Sequence, residues 1–236
     1  MEHSGQSHWI PLSDLMTGLM MVFMLIAVAL MLRAAEVARI SSTIVTDYEQ
    51  TKSDLMQALQ DEFKEDMKRW NAEILGDMTI RFKEPEVLFD VGSSELKQRF
   101  KLILSDFLPR YVRILSSPKY RNSIKEVRIE GHTSIFWVTA KSPQEAYFRN
   151  MELSQDRTRS ALKYFLELND IQSESEWLRQ HVTANGLSSS HPIIVEGKRD
   201  DASSQRVEFR IVTNAEDRVA EMDKRIKLMR STLVSE

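Results

Sequence analysis

From Leu15 to Leu32 the chain contains no charged residue, and this run limits what the molecule can be more than any other feature. At about 1.5 Å per helical residue it covers roughly 27 Å, close to the hydrocarbon thickness of a bilayer. "WIPLSDLMTGLMMVFMLIAVALMLRAA", residues 9–35, therefore reads as a single transmembrane helix joined to a water-soluble remainder. A cleaved signal peptide is the rival, since "RAAEVA" offers small residues. Residues 1–8 carry no Lys or Arg, however, and an acidic residue heads the apolar run, which favours a retained anchor behind a short tail.

That acidic residue, Asp14, needs a reason to be there. A charged side chain at the middle of a membrane helix costs about 2.5–3.5 kcal/mol. At helical spacing Asp14 shares a face with Thr17, Gly18 and Met21. One reading makes it an ion-handling group. The other makes it a first-turn carboxylate near the headgroups, favoured by the helix dipole and by Pro11. The residues alone leave both open. Orientation is open too: Arg33 and Arg39 follow the span and favour a cytoplasmic C-terminus, but long domains cross largely regardless of charge.

Composition removes several classes. A net charge of −3 gives no basic excess for direct nucleic-acid binding, and the absence of cysteine removes disulfides and thiolate chemistry. The 5 histidines are scattered without ligand spacing, and no nucleophile, base and orienter recur together. No enzyme, no catalytic residue, no metal and no resident cofactor are expected. The 12 methionines fall in the span and in helical patterns, where adaptable packing accounts for them.

Beyond the span, Ile40, Ile44, Tyr48, Leu55, Leu59, Phe63, Met67, Trp70 and Ile74 recur at helical steps. They predict a linker or plug helix over residues 36–76, closed by Gly76, whose stripe dimerises or lies on another surface. "MTIRF" and "VLFDVG" read as strands. "SSELKQRFKLILSDFLPRYVRIL" reads as a helix capped by Ser93 or Ser94 and bent or interrupted at Pro109. "IKEVRIEG" alternates as a strand with Ile124, Val127 and Ile129 inward. "LSQDRTRSALKYFLEL" is helical, "HVTANGL" and "QRVEFRI" are strands, and "EGKRDDASS" is a mobile charged loop. Residues 215–236 read as a closing amphipathic helix. The fold class is α+β: a transmembrane helix, a linker helix, then an α/β sandwich over residues 77–214.

Two motifs carry a resemblance. "WIPLSDLMTGLMMVF" resembles the span of the MotB-type ion-motor subunit, with Trp9, Asp14, Met16, Thr17, Met20 and Phe23 in matching places. That resemblance implies that Asp14, with Thr17 beside it, carries a transported H⁺ or Na⁺ ion. It also implies an N-terminus in the cytoplasm. "VRIEGHTS", "NMELSQDRTRSALKYFL" and "SSQRVEFRI" resemble the OmpA/MotB-like peptidoglycan-binding domain over roughly residues 87–213. Thr133, Ser134, Asn150, Leu153, Arg157 and Arg206 are the wall-binding positions this implies. From the residues alone Arg157 reads as a helix-surface salt bridge, and His132 as a structural hydrogen-bonder.

The chain departs from that pattern at Ser134, where the family has an aspartate, and at Gln205, which replaces an arginine. It also has a longer loop from Ile135 to Tyr147, containing Phe136 and Trp137. With the short N-terminal tail, these departures resemble the B subunits of Zorya anti-phage defence motors. The resemblance implies a homodimer whose spans sit inside a ring of a multi-span A-type subunit. It places a single-pass chain in the bacterial inner membrane, its periplasmic C-terminal domain on peptidoglycan. Partners are then that subunit, the wall and the lipid bilayer, with no direct nucleic acid. The alternatives are a flagellar stator subunit, a passive membrane-tethered wall anchor and a TolR/ExbD-like energy-transducing subunit.

Overall fold

The computed structural model describes residues 9–83 and 88–214, together with Asp217 and Lys224. The chain divides into two compact units, Met1–Glu49 with Arg218–Glu236, and Gln50–Asp217. Helix α1 runs Trp9–Arg69. In the first unit its segment Ser13–Arg39 is long and apolar enough to cross a membrane, with mean hydropathy 2.6. Large apolar side chains are exposed all round it, among them Leu19, Phe23 and Leu30. A helix that is apolar on every side suits lipid rather than water. Asp14, Thr17, Gly18 and Met21 are exposed as well, and the Thr17 hydroxyl donates to the Ser13 carbonyl at 2.8 Å. The closing helix read over residues 215–236 lies outside the described residues, apart from Asp217 and Lys224.

The second unit is a two-layer α/β sandwich. Its strands are β1 (Ala72–Ile74), β2 (Thr79–Phe82), β3 (Ile124–His132), β4 (Val182–Gly186) and β7 (Arg206–Thr213), in the order β1-β2-β7-β3-β4. Only the β3–β4 pair is parallel. Helix α2 (Gln98–Leu115) and helix α3 (Pro143–Glu167) contribute to the same core. Alternation puts Ile80, Phe82, Val127, Ile129, Val207 and Phe209 on the core face. Phe107 of α2 lies 5.4 Å from Phe82, 5.3 Å from Phe209 and 5.2 Å from Phe63, ring to ring.

Several sequence expectations change. Leu55, Leu59 and Phe63 of α1 are buried in this domain's own core, so that part of the stripe is not a dimer seam. The side chains of Ile40, Ile44 and Tyr48 lie outside the described residues. The helix ends at Arg69 rather than Gly76. Asn71 adopts φ 49°, a left-handed turn that asparagine tolerates, and Ile74 falls in the edge strand β1. "VLFDVG" forms only a bridge between Phe89 and Leu96. Helix α2 begins at Gln98, and Ser93 instead accepts a turn bond from the Glu95 amide at 3.1 Å. Pro109 sits within α2 without ending it.

Ile124 and Val127 both face inward although three apart, because the β3–β7 register shifts between Ile124 and Glu126. The charged loop is a hairpin of β5 (Ile193–Val195) and β6 (Lys198–Asp200), followed by the short helix α4 (Asp201–Ser204). Glu196 and Gly197 make its turn at φ 51° and 76°. Asp200 caps α4 through the amides of Ala202 and Ser203.

Candidate ligand-binding cleft

Helix α3 sits against the ends of β3 and β4 because two glycines let it. A Cβ on Gly131 would stand 2.7 Å from the Thr158 methyl and 2.8 Å from the Ser154 carbonyl. One on Gly186 would collide with the Gln155 backbone. Side chains on that face of α3 then bond to the strand and its following loop. Gln155 donates to the Ala184 carbonyl at 3.2 Å and accepts from the Gly186 amide at 2.7 Å. Ser154 Oγ accepts from the Ser188 amide at 3.1 Å. This registration fixes Arg157, one residue before Thr158 on the helix.

The start of α3, Pro143 to Tyr147, lies in the stretch that the sequence presents as loop. Ser142 caps it by accepting from the Glu145 amide at 3.1 Å, with Pro143 in the first turn. Glu145 in turn accepts from the Lys141 amide at 2.9 Å. The loop after β3 therefore ends at Ser142 rather than Tyr147. Ten further residues ahead of Leu153 are helical as a result, Asn150 among them.

Between this helix, the loop after β3 and the segment Phe89–Gly92 lies an open cleft of about 990 Å³. Thr133, Ser134, Asn150, Leu153 and Arg157 line it together; Arg206 does not. Arg157 is only 7% exposed. Its Nε donates to the Ser93 carbonyl at 2.8 Å, Nη2 donates to the Asp90 carbonyl at 3.1 Å, and its guanidinium carbon lies 4.9 Å from the Phe89 ring centre. Among the described residues no carboxylate reaches ion-pair distance of it, so the salt-bridge reading does not hold. Burial pushes its pKa down to about 10, which still leaves a cation at neutral pH.

The neighbouring polar groups are mostly engaged in shaping the loop. Ser134 Oγ accepts from the Phe136 amide at 3.3 Å, and Asn150 Nδ2 donates to the Phe136 carbonyl at 3.1 Å. Thr133 Oγ1 is buried and has no hydrogen-bond partner among the described residues. Asp90, absent from the sequence-derived candidates, lines the facing wall and pairs with Lys97 at 2.8 Å.

Arg206 lies instead in a buried charged layer on the sheet's other face. Its Nε donates to Glu208 Oε1 at 2.6 Å and its Nη1 to the Ser204 carbonyl at 2.8 Å. Arg81 meets the same Glu208 oxygen at 2.6 Å, and His132 Nε2 stands 3.4 Å from Glu208 Oε2. Glu130, His132 and Glu208 bring their donor atoms within 4.8 Å of one another, a juxtaposition the histidine spacing did not suggest. The two guanidiniums already balance Glu208.

A helix cradled on a β-strand pair beside an open cleft defines an α/β domain of a known family. A model of the OmpA family matches residues 88–206, and the chain belongs to that family. Over 211 residues, 89% of each chain, it is 46% identical to Zorya protein ZorB of the Crooks strain of Escherichia coli. Among solved structures it is similar to a MotB like protein from Desulfovibrio vulgaris, with 21% identity, TM-score 0.49, and 74% of this chain and 99% of that one covered. It is also similar to the cell wall anchor of the T6SS from Pseudomonas aeruginosa, with 18% identity, TM-score 0.45, and coverage of 66% and 96%.

Proposed function

We propose that this chain is the stator-like B subunit of an ion-driven membrane motor that holds peptidoglycan, working in anti-phage defence as the name of its ZorB relative suggests. One combination carries the reading: a ZorB-like chain joins an apolar helix headed by Asp14 to an OmpA-family cleft whose buried Arg157 meets no carboxylate among the described residues. Residues 9–35 span the inner membrane with residues 1–8 in the cytoplasm, and the domain lies in the periplasm. Two copies place their spans inside a ring of multi-span A-type subunits.

In the cleft Arg157 takes a carboxylate of the wall's stem peptide. Thr133, Ser134, Asn150 and Leu153 shape the surrounding contacts, and Arg206 supports them from the sheet. In the span Asp14 takes up and releases H⁺ or Na⁺, with Thr17 beside it. Neutralising the carboxylate changes which neighbours it prefers, and that change drives the ring by steps. An elementary charge crossing about 100 mV releases ~2.3 kcal/mol, so useful motion takes several transfers.

The test is ion flux. Co-purified with a multi-span A-type subunit and placed in liposomes, the wild-type chain passes ions and Asp14→Asn assembles without passing them. Undiminished flux in Asp14→Asn would leave a passive wall tether.

A further inference from the structure

The loop between β3 and α3 contributes little to the core and presents apolar surface to solvent. Ile135 is 40%, Phe136 68% and Val138 103% exposed. Its bonding is nonetheless well defined. The Ala140 amide donates to the Trp137 carbonyl at 3.1 Å and closes a turn. Trp137 Nε1 donates to Thr139 Oγ1 at 3.1 Å, which fixes the indole, and Asn150 ties the loop to α3 through the Phe136 carbonyl. Such a loop loses conformational freedom in order to hold the Phe136 ring in water beside a half-buried Trp137, an arrangement that gains only when something covers them.

The covering ligand has to match what surrounds the rings. Phe136 and Trp137 line the same cleft as Arg157 and Thr133. Thr133 Oγ1 is buried there without a partner among the described residues. The matching ligand has an apolar face for the rings, a hydroxyl or amide edge for Thr133 and a carboxylate for Arg157. A stem peptide of small side chains offers the carboxylate but no broad flat face. An N-acetylated pyranose joined to that peptide offers all three: the ring face, the acetamido edge and the peptide's carboxylate.

We propose that the Ser134–Ala140 loop adds a sugar subsite to the cleft, in which Trp137, flanked by Phe136, stacks on a pyranose of the glycan strand while Arg157 holds a carboxylate. This rests on the wall-binding reading and extends it from peptide to glycan. Aromatic stacking of this kind is worth about tenfold in affinity.

The experiment is calorimetry on the full chain in detergent with two ligands, a disaccharide-peptide and the free stem peptide. Wild type binds the disaccharide-peptide about tenfold more tightly. Trp137→Ala abolishes that preference and leaves free-peptide affinity and melting temperature unchanged, Trp137→Phe keeps part of it, and Arg157→Ala weakens both ligands. Equal wild-type affinities, or equal weakening of both ligands by Trp137→Ala, overturn the sugar subsite while leaving wall binding intact. Binding of neither ligand by wild type removes the wall-binding reading and the subsite with it.

Discussion

Arg157 and Arg206 are buried almost equally, 7% and 5% exposed, but in different company. Arg206 meets a carboxylate at 2.6 Å, which is itself shared with Arg81. Burial alone would raise the Glu208 pKa, yet the Arg206 hydrogen bond and charge, with the His132 ring 3.4 Å away, hold it well below the usual carboxylate range. Arg157 meets two backbone carbonyls and a phenyl face. Those dipoles offset part of the desolvation cost and supply no counter-charge. Burial therefore does not distinguish the two arginines; the missing anion does. An arginine held this way is ready for a carboxylate ligand, and the layer around Glu208 has already found its partners.

The largest expected effect breaks the satisfied side. Glu208→Ala leaves the buried Arg206 guanidinium without a carboxylate, while the half-buried Arg81 keeps Glu73 at 3.0 Å, and should cost about 3 kcal/mol of folding stability, measured by denaturant unfolding. A loss under ~1 kcal/mol would mean the charged layer is not the rigid scaffold its distances suggest. Next comes the open side, where the loss falls mainly on binding. Arg157→Ala should weaken retention on purified peptidoglycan about 30-fold or more, with a smaller stability loss of about 1–3 kcal/mol from the two backbone hydrogen bonds and the Phe89 contact it removes. A collapse in stability with unchanged retention would make Arg157 a second Arg206. A smaller effect is expected from Ser134→Asp, which places a carboxylate in the cleft and should tighten an ammonium-bearing stem peptide about threefold to tenfold. No gain would show that position 134 faces its loop rather than the ligand.

The two sides were not equally legible in the sequence. The span is plain because an uncharged run of membrane length has few other uses, and the cleft's helix is plain from Leu153 onward, in "LSQDRTRSALKYFLEL". The facing wall was invisible: Ser93 and Asp90 hold Arg157 through backbone carbonyls, which every residue carries. The start of α3 did leave a signal, Ser142-Pro143-x-Glu145, a capping pattern obscured by the aromatic residues just before it. The β5–β6 hairpin was misread because charge at Lys198, Arg199 and Asp200 concealed its alternation, although Glu196-Gly197 is the kind of pair a tight turn requires. Arg206 drew attention as a motif residue, but only the fold shows that its side chain points away from the cleft.

The smallest effect separates the two sides by pH. Burial pushes the His132 pKa below its ordinary 6.5, and the Glu208 carboxylate 3.4 Å away does not fully offset that. The unfolded chain takes up this proton first as pH falls, so His132 costs stability on acidification below about 6.5. Glu130 works in the opposite sense: burial raises its pKa above 4.5, so the folded chain gains its proton first. Comparing wild type with His132→Asn isolates the first contribution, and the variant should lose less stability between pH 6.5 and 5 than wild type does, by about 1 kcal/mol or less. The cleft has no such group near neutrality, since Arg157 keeps its charge to about pH 10. Peptidoglycan retention by the folded wild-type chain should therefore stay flat over the same interval. A retention curve that follows the stability curve would mean that the charged layer and the cleft respond as one.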